Sequence, residues 1–230
     1  MKATEYYIKA RLFPTIICAV PLLTLYYFGF SEKIINFIEF LKGYKWVSDI
    51  TISVAIIYFM TQINRFVAKE IFQKLFFKDE IKMPTTNFLL QSNTFFVDGT
   101  KKRIRKKIKA NFRIELLSLS QENENELEAR KTIVDAVAQI KNVTRDNTLL
   151  FQHNIEYGFT RNLIGGCAIA ILVILFNLYF FKTIIPNELV FNISIGFGVL
   201  YLLPIVLSSF LVNRYGKYYA KVLFEQFLKA

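Results

Sequence analysis

Residues 12–30 read LFPTIICAVPLLTLYYFGF and decide the fold of this chain. The stretch contains no charged residue, and a helix of this length, rising ~1.5 Å per residue, spans the ~30 Å hydrocarbon core of a bilayer. Pro14 fits a first helical turn. Pro21 lies in mid-span and predicts a kink, so the carbonyl that it frees needs cover from a neighbouring helix. The stretch begins close to Met1 but has no small-residue cleavage pattern, so we interpret it as a retained span rather than a signal peptide.

Three further apolar runs follow, at about 46–63, 163–181 and 189–212. Together with 12–30 they predict four transmembrane helices in two hairpins, and most of the charge lies between the hairpins. The predicted fold class is therefore an all-α membrane protein with a mostly helical domain inserted between the hairpins. The predicted divisions are a first hairpin at 1–64, a basic cytoplasmic domain at 65–161, a second hairpin at 162–213 and a C-terminal tail at 214–230.

Lysines and arginines near the span ends predict the orientation, because they are enriched on the cytoplasmic side. The second hairpin decides it, with Arg161 and Arg214 on one side and Lys182 on the other. Both termini are then cytoplasmic, and a bacterial inner membrane is the expected location. The net charge of +11 is first explained by this topology and by anionic headgroups.

Several soluble segments have predictable local structure. Residues 31–45 have helical spacing of apolar residues and suggest an interfacial helix on the outer leaflet, and 65–77 continues the second span. Residues 88–97 suggest a strand or a buried extended segment, closed by a turn at Asp98-Gly99. Residues 120–141 predict a helix with Ser120 as its cap.

A basic helix is predicted over residues 100–112, TKKRIRKKIKANF. Ile104, Ile108 and Phe112 form a narrow apolar stripe on it. The cations assigned to binding are Lys101, Lys102, Arg103, Arg105, Lys106, Lys107 and Lys109. Anionic lipid, a nucleotide or RNA, and plain solvation of the surface remain alternatives.

A dense polar cluster precedes the third span. Its members are His153, Asn154, Glu156, Tyr157, Arg161 and Asn162. We interpret it as a hydrogen-bonded collar at the membrane entrance. The pair Arg145 and His153 resembles the Arg-to-His signature of HEPN-type ribonucleases, but seven residues intervene, more than in the usual pattern. A membrane-anchored ribonuclease is thus the enzyme-class alternative to a non-catalytic protein.

No metal site or cofactor is expected. The alternating acidic residues Glu122, Glu124, Glu126 and Glu128 do not share one helical face. Cys18 and Cys167 both fall inside apolar runs, and we expect isolated thiols that serve in packing, without a disulfide between them. Two four-residue spacings, Gly166 with Ala170 and Ser194 with Gly198, allow close helix approach and suit a homo-oligomer.

The size, the span number, the basic insert and the string NIEYGFTRNLIGG at 154–166 resemble small four-helix membrane proteins of bacterial anti-phage and CRISPR-associated loci. The resemblance implies an oligomeric effector or channel-like protein that perturbs the membrane, with a cytoplasmic domain that senses a signal or a partner. A scaffold that recruits a soluble protein encoded nearby is a further alternative.

Overall fold

The structure is a computed structural model that describes residues 2–30, 36–37, 49–78 and 80–230. These residues are helical or irregular, with no β-strand among them. They form two compact units. We call Met1–Phe72 with Gly158–Ser208 the apolar unit, and Gln73–Tyr157 with Ser209–Ala230 the charged unit. Most of the predicted interfacial segment 31–45, and the start of the predicted second span at 46–48, lie outside the described residues.

Ten helical elements are described along the chain. In chain order they are α1 (Lys2–Phe30), α2 (Asp49–Val67), α3 (Lys74–Phe77), α4 (Pro84–Asn87), α5 (Asp98–Phe112), α6 (Leu119–Glu124), α7 (Glu126–Val143), α8 (Thr148–Thr183), α9 (Glu188–Val206) and α10 (Ser208–Lys229). A π-helical stretch, Ala68–Gln73, joins α2 to α3. The helical structure predicted for residues 65–77 is confirmed.

Three of the described helices, α1, α8 and α9, are long and apolar enough to cross a membrane. In α8, 44% of the most apolar stretch is buried, against 17% in α9, so α8 is the more central of the two within the apolar unit. Helix α2 is not among the three found in the described part of the chain. The fourth span and the arrangement in two hairpins therefore stay predictions.

Helix α1 is irregular, and its two prolines leave carbonyl groups that hydrogen-bond to neighbouring helices. A proline has no N–H for the carbonyl four residues before it. For Pro14 that carbonyl belongs to Ala10, which accepts a hydrogen bond from Asn162 Nδ2 at 2.7 Å. For Pro21 it belongs to Ile17, which accepts from the Tyr201 hydroxyl at 2.5 Å. The prediction that neighbouring helices cover the carbonyl freed by Pro21 is confirmed.

Two more carboxamides bind α1. Asn64 Nδ2 lies 3.2 Å from Thr15 Oγ1, and Asn177 Nδ2 donates to the carbonyl of Pro21 at 2.9 Å. The Oδ1 atoms of Asn64, Asn162 and Asn177 are buried and receive no hydrogen bond from the described residues. These side chains tie α1 to α2 and α8 through polar contacts inside an apolar unit, where such contacts are not weakened by competing water.

Two adjacent glycines bring helices of the apolar unit into close contact. A Cβ atom on Gly165 would lie 2.6 Å from the Asn64 carbonyl oxygen and 2.7 Å from the Ala68 nitrogen. One on Gly166 would lie 2.7 Å from Cys18 Sγ. Gly165 therefore fixes the approach of α8 to α2, and Gly166 its approach to α1. The sequence predicts that Cys18 and Cys167 are isolated from each other. This prediction is wrong, because their sulfur atoms lie 4.0 Å apart.

The charged unit has one hydrophobic core. The apolar stripe of α5 is confirmed, since Ile104 and Ile108 are fully buried there. Helix α10 contributes Leu223, Phe224 and Phe227 to the same core. The segment predicted as a C-terminal tail, 214–230, thus lies in a core helix of the charged unit, because its apolar residues recur at helical spacing and pack against α5.

Several local predictions differ from the structure. The strand alternative for 88–97 is wrong, because these residues form an irregular loop whose first residues, 88–90, are buried. We call 88–97 the buried loop after these first residues, although Ser92, Thr94, Phe95 and Val97 are exposed. The Asp98-Gly99 turn is also wrong, since both residues open α5.

The single helix predicted for 120–141 is instead two helices, α6 and α7, separated at Asn125. Ser118, not Ser120, caps the first helix, in a reciprocal pair with Gln121, and Asn125 caps the second helix. The Asn125 side chain accepts a hydrogen bond from the Glu128 N–H group, so the second helix can start at the next residue.

Gly165→Ala should destabilise the full-length protein relative to Gly196→Ala. Both changes gain the same helix propensity, about 1 kcal/mol, but no atom lies within 4 Å of a Cβ at Gly196. The difference therefore isolates the clash of Gly165 with the α2 backbone, for which we expect about 1–3 kcal/mol. Thermal unfolding of both variants in detergent measures it, and equal midpoints would contradict the close approach of α8 and α2.

Candidate functional site

The basic helix α5 presents its seven cations in two different ways. Lys101 is 2% exposed and Arg105 is half-buried, and both are directed into the charged unit. Lys102, Arg103 and Lys106 are exposed. The set that the sequence assigned to anionic lipid or ligand binding is therefore divided between interior and surface.

Lys101 binds the buried loop. Its Nζ donates to the carbonyl of Gln91 at 3.0 Å and also to the carbonyl of Asn93. Backbone oxygens thus compensate a nearly inaccessible ammonium group, which burial without partners would make very costly. Lys101 is a structural group of the charged unit and has little surface left for a ligand.

Arg105 binds the same loop and the segment before α6. Its Nη1 donates to the carbonyl of Leu89 at 3.1 Å, while Nη2 donates to Leu116 at 2.7 Å and to Leu117. The planar guanidinium suits this, because its donors point in fixed directions. Burial lowers the pKa of the Arg105 guanidinium, and the negative charge of Glu122 opposes that shift.

Glu122 completes the attachment of the loop. The carboxylate is 3% exposed and accepts from the backbone N–H groups of Gln91 at 2.7 Å and Ser92 at 3.1 Å, and from the Ser92 hydroxyl at 2.5 Å. Burial by itself would raise the pKa of this carboxyl. The hydrogen bonds from Ser92 and Gln91, with the charge of Arg105, outweigh burial and leave the pKa below its ordinary value.

A cavity of about 460 Å³ opens beside Arg105. Its lining comes from the loop, from the segment before α6 and from α6 itself: Gln91, Arg105, Glu115, Leu116, Leu117, Ser118 and Gln121. The donors of Arg105 described above and the capping atoms of Ser118 and Gln121 are already bonded within the chain. The cavity wall is therefore mixed in polarity. The Arg105 donors described above are used within the chain and are not free for a ligand in the cavity.

The outer face of α5 carries the available charge. Lys109 pairs with Glu115 at 2.6 Å, and Lys107 lies 5.3 Å from the centre of the Phe227 ring. Lys102, Arg103 and Lys106 form no ion pair with any described residue and are exposed to solvent. Three cations within five positions of one helix form the surface that an anion can reach; we call them the outer cations.

The predicted polar cluster before the third span lies on α8 but is divided between the two units. In the charged unit, His153 Nδ1 lies 3.0 Å from Glu156 Oε2, and Tyr157 stacks on Tyr219 with ring centres 6.4 Å apart. Asn154 is half-buried there. Arg161 and Asn162 belong to the apolar unit, where Asn162 serves the Ala10 carbonyl.

The ribonuclease alternative rested on Arg145 and His153. Arg145 is exposed on the turn before α8, and no hydrogen bond or ion pair joins it to His153 in the described part of the chain. The partner of His153 is Glu156, one helical turn further on.

The predicted helix-packing residues have different surroundings. Gly166 and Ala170 are buried at contacts of α8. Ser194 is buried and donates to the carbonyl of Val190, while a Cβ at Gly198 would meet only Ile174 at an ordinary 3.6 Å. Within the described residues no group of three or more His, Cys, Asp or Glu side chains is placed to hold a metal ion.

The sequence patterns above do not predict that Lys101, Arg105 and Glu122 hydrogen-bond to the buried loop. Nothing in the local pattern distinguishes Lys101 from Lys102 except its helical register with Ile104 and Ile108, which places Lys101 and Arg105 beside the apolar stripe. That register is the one signal that predicts their inward position.

The chain matches no protein-family model, no curated protein and no solved structure.

Arg105→Lys should destabilise the charged unit, whereas Arg103→Lys should not. Lysine keeps the charge of Arg105 but not the fixed directions of its donors, so carbonyls of Leu89, Leu116 and Leu117 lose partners, at about 1–3 kcal/mol. The exposed Arg103 has no such role, and we expect less than about 0.5 kcal/mol. Hydrogen exchange of the 88–97 peptides should accelerate only in Arg105→Lys; equal exchange in the two variants would contradict this assignment.

Proposed function

We propose that the chain is a multi-pass protein of the bacterial inner membrane that acts as a homo-oligomeric, channel-like effector in antiviral defence, without catalysis of its own. In this proposal the charged unit is cytoplasmic and receives the signal or the partner. The observation that carries the proposal is the large number of apolar side chains that α1, α2 and α9 leave exposed.

These exposed side chains need a non-aqueous environment. Helix α9 leaves Val199, Leu200, Leu203 and Val206 each more than half exposed. Such a surface exceeds what soluble monomers leave in contact with water. Lipid covers it when the helix spans a bilayer, and neighbouring copies cover part of it in an oligomer.

The basic residues support the cytoplasmic placement of the charged unit. Arg65 and Lys69 follow the apolar part of α2, and Arg214 and Lys217 lie beyond α9, whereas Lys182 lies alone at the opposite end of α8. The positive-inside rule then puts both termini and the charged unit on the cytoplasmic side.

An oligomer is proposed because one copy fills its own interior. Ile164, Ile174 and Val190 are buried in the apolar unit, so a conducting path is more readily built between copies. Helix α9 also leaves Asn192 and Gly196 exposed one turn apart. A carboxamide facing hydrocarbon is costly and is better placed against another subunit.

The outer cations extend the proposal to the membrane surface. Basic residues near anionic headgroups gain about 1 kcal/mol each. A soluble protein encoded nearby, or RNA, would compete for the same surface, and either would serve as the signal that the charged unit receives.

Gly196→Leu should weaken the oligomer while leaving the subunit folded. Apart from the backbone of its own helix and its chain neighbours, no atom of the described residues lies within 4 Å of a Cβ there, so we expect the added bulk to disturb mainly contacts with other copies. Native mass spectrometry from detergent should show oligomers for the wild type and for Gly196→Ala, and smaller species for Gly196→Leu. Expression of the wild type should depolarise cells, and Gly196→Leu should reduce this. A strictly monomeric wild type without effect on membrane potential would remove the proposal.

Replacement of the outer cations with glutamine should reduce binding of phosphatidylglycerol to the full chain. We expect about a fivefold loss of affinity per charge removed, falling with added salt. The matched control removes the same charge from exposed Lys131, Arg145 and Lys229 and should retain more lipid. Native mass spectrometry counts the bound lipids. Equal lipid retention in both triple variants, or loss of RNA binding instead, would overturn the lipid assignment.

A further inference from the structure

The two cysteines of the chain face each other inside the apolar unit. Cys18 lies on α1 and Cys167 on α8, and their sulfur atoms are 4.0 Å apart although 149 positions separate the residues. Both are free thiols, with 5% and 1% of the residue exposed. The chain contains no other cysteine, so any disulfide within one copy joins these two.

A glycine beside Cys167 allows the Cys18 sulfur atom to lie close to the backbone of α8. Gly166 precedes Cys167, and a Cβ there would lie 2.7 Å from Cys18 Sγ. A larger residue at 166 would therefore push the Cys18 sulfur atom away from α8. The space for the thiol exists only because this position is glycine.

The hydrogen-bond ladder of α1 is irregular for a few residues at Cys18. Cys18 ends a helical segment, Phe13–Cys18, and the Ala19 N–H bonds three residues back, to Ile16, at 3.2 Å. Pro21 gives no N–H to Ile17. The regular pattern resumes where the Leu23 N–H donates to the Ala19 carbonyl at 2.9 Å, so the irregularity is local to the residues around Cys18.

We propose that Cys18 and Cys167 form a reversible intramolecular disulfide that fastens α1 to α8. A disulfide needs sulfur atoms about 2.05 Å apart, so the present separation closes when each sulfur moves about 1 Å. The product is uncharged and loses both S–H groups, which suits an apolar interior.

The oxidant is a small uncharged peroxide, which can enter an apolar interior. One cysteine sulfur attacks a peroxide oxygen, the O–O bond breaks, and a sulfenic acid and one water form. The second sulfur then attacks the sulfenic sulfur and releases the second water as the S–S bond forms. Two thiols and one hydrogen peroxide thus give one disulfide and two waters, and a dithiol reductant restores the thiols.

The test treats the purified full chain in detergent micelles with hydrogen peroxide and then denatures it. We expect an intramolecular link between the Cys18 and Cys167 peptides, no maleimide-reactive thiol in the denatured chain, and recovery of both thiols with dithiothreitol. The oxidised chain should also unfold at a higher temperature than the reduced chain, and this shift should be absent in Cys18→Ala.

A shifted pair supplies the matched control. The double variant Cys167→Ala, Ile171→Cys keeps two thiols but moves one of them along α8 by about one turn. It should give less than about one tenth of the linked product. The proposal is overturned if the shifted pair links as readily as the native pair. It is equally overturned if the native thiols survive peroxide, or if each oxidises separately to a sulfinic acid without linking.

Discussion

The structure of the apolar unit depends on one constraint, which is that a carbonyl freed by proline in apolar surroundings must find another donor. Helix α1 meets this twice, at Ala10 and at Ile17. The donors come from α8 and α9, so the defects that weaken α1 as an isolated helix are also the points that attach it. The glycines of α8 then allow the backbones to approach closely enough for these hydrogen bonds to form.

The charged unit meets a similar need with ionisable side chains. The buried loop has no neighbouring strand, yet its N–H and carbonyl groups cannot be left unbonded inside a core. Glu122 accepts from two N–H groups, while Lys101 and Arg105 donate to carbonyls of the same loop. Two positive side chains and one negative side chain therefore replace a strand partner, and removal of any one would leave backbone groups of the loop without their partners.

This use of charge changes how the basic composition is interpreted. A net charge of +11 and a dense run of lysines and arginines suggest one continuous basic surface, for anionic lipid, for another anionic ligand or for solvent alone. In the structure the run has an inner side that stabilises the fold and an outer side of three free cations. Only the outer cations are available to a headgroup or a partner, which limits the surface on which the proposed recognition takes place.

The sequence by itself determined the helical class, the three long apolar helices, the apolar stripe of Ile104 and Ile108, and the need of Pro21 for a neighbouring donor. Hydropathy, helical period and the chemistry of proline are local properties, so they can be recognised from the sequence alone. Only the tertiary structure decided that Tyr201 supplies that donor, that Lys101 and Arg105 point inward, that Ser118 rather than Ser120 is the cap, and that Cys18 meets Cys167. The contacts of Tyr201 and Cys18 depend on which helices of the apolar unit face each other, and close packing at Gly165 and Gly166 joins segments there that are far apart in sequence. The inward position of Lys101 and Arg105 depends instead on how the charged unit packs its own core around Ile104 and Ile108.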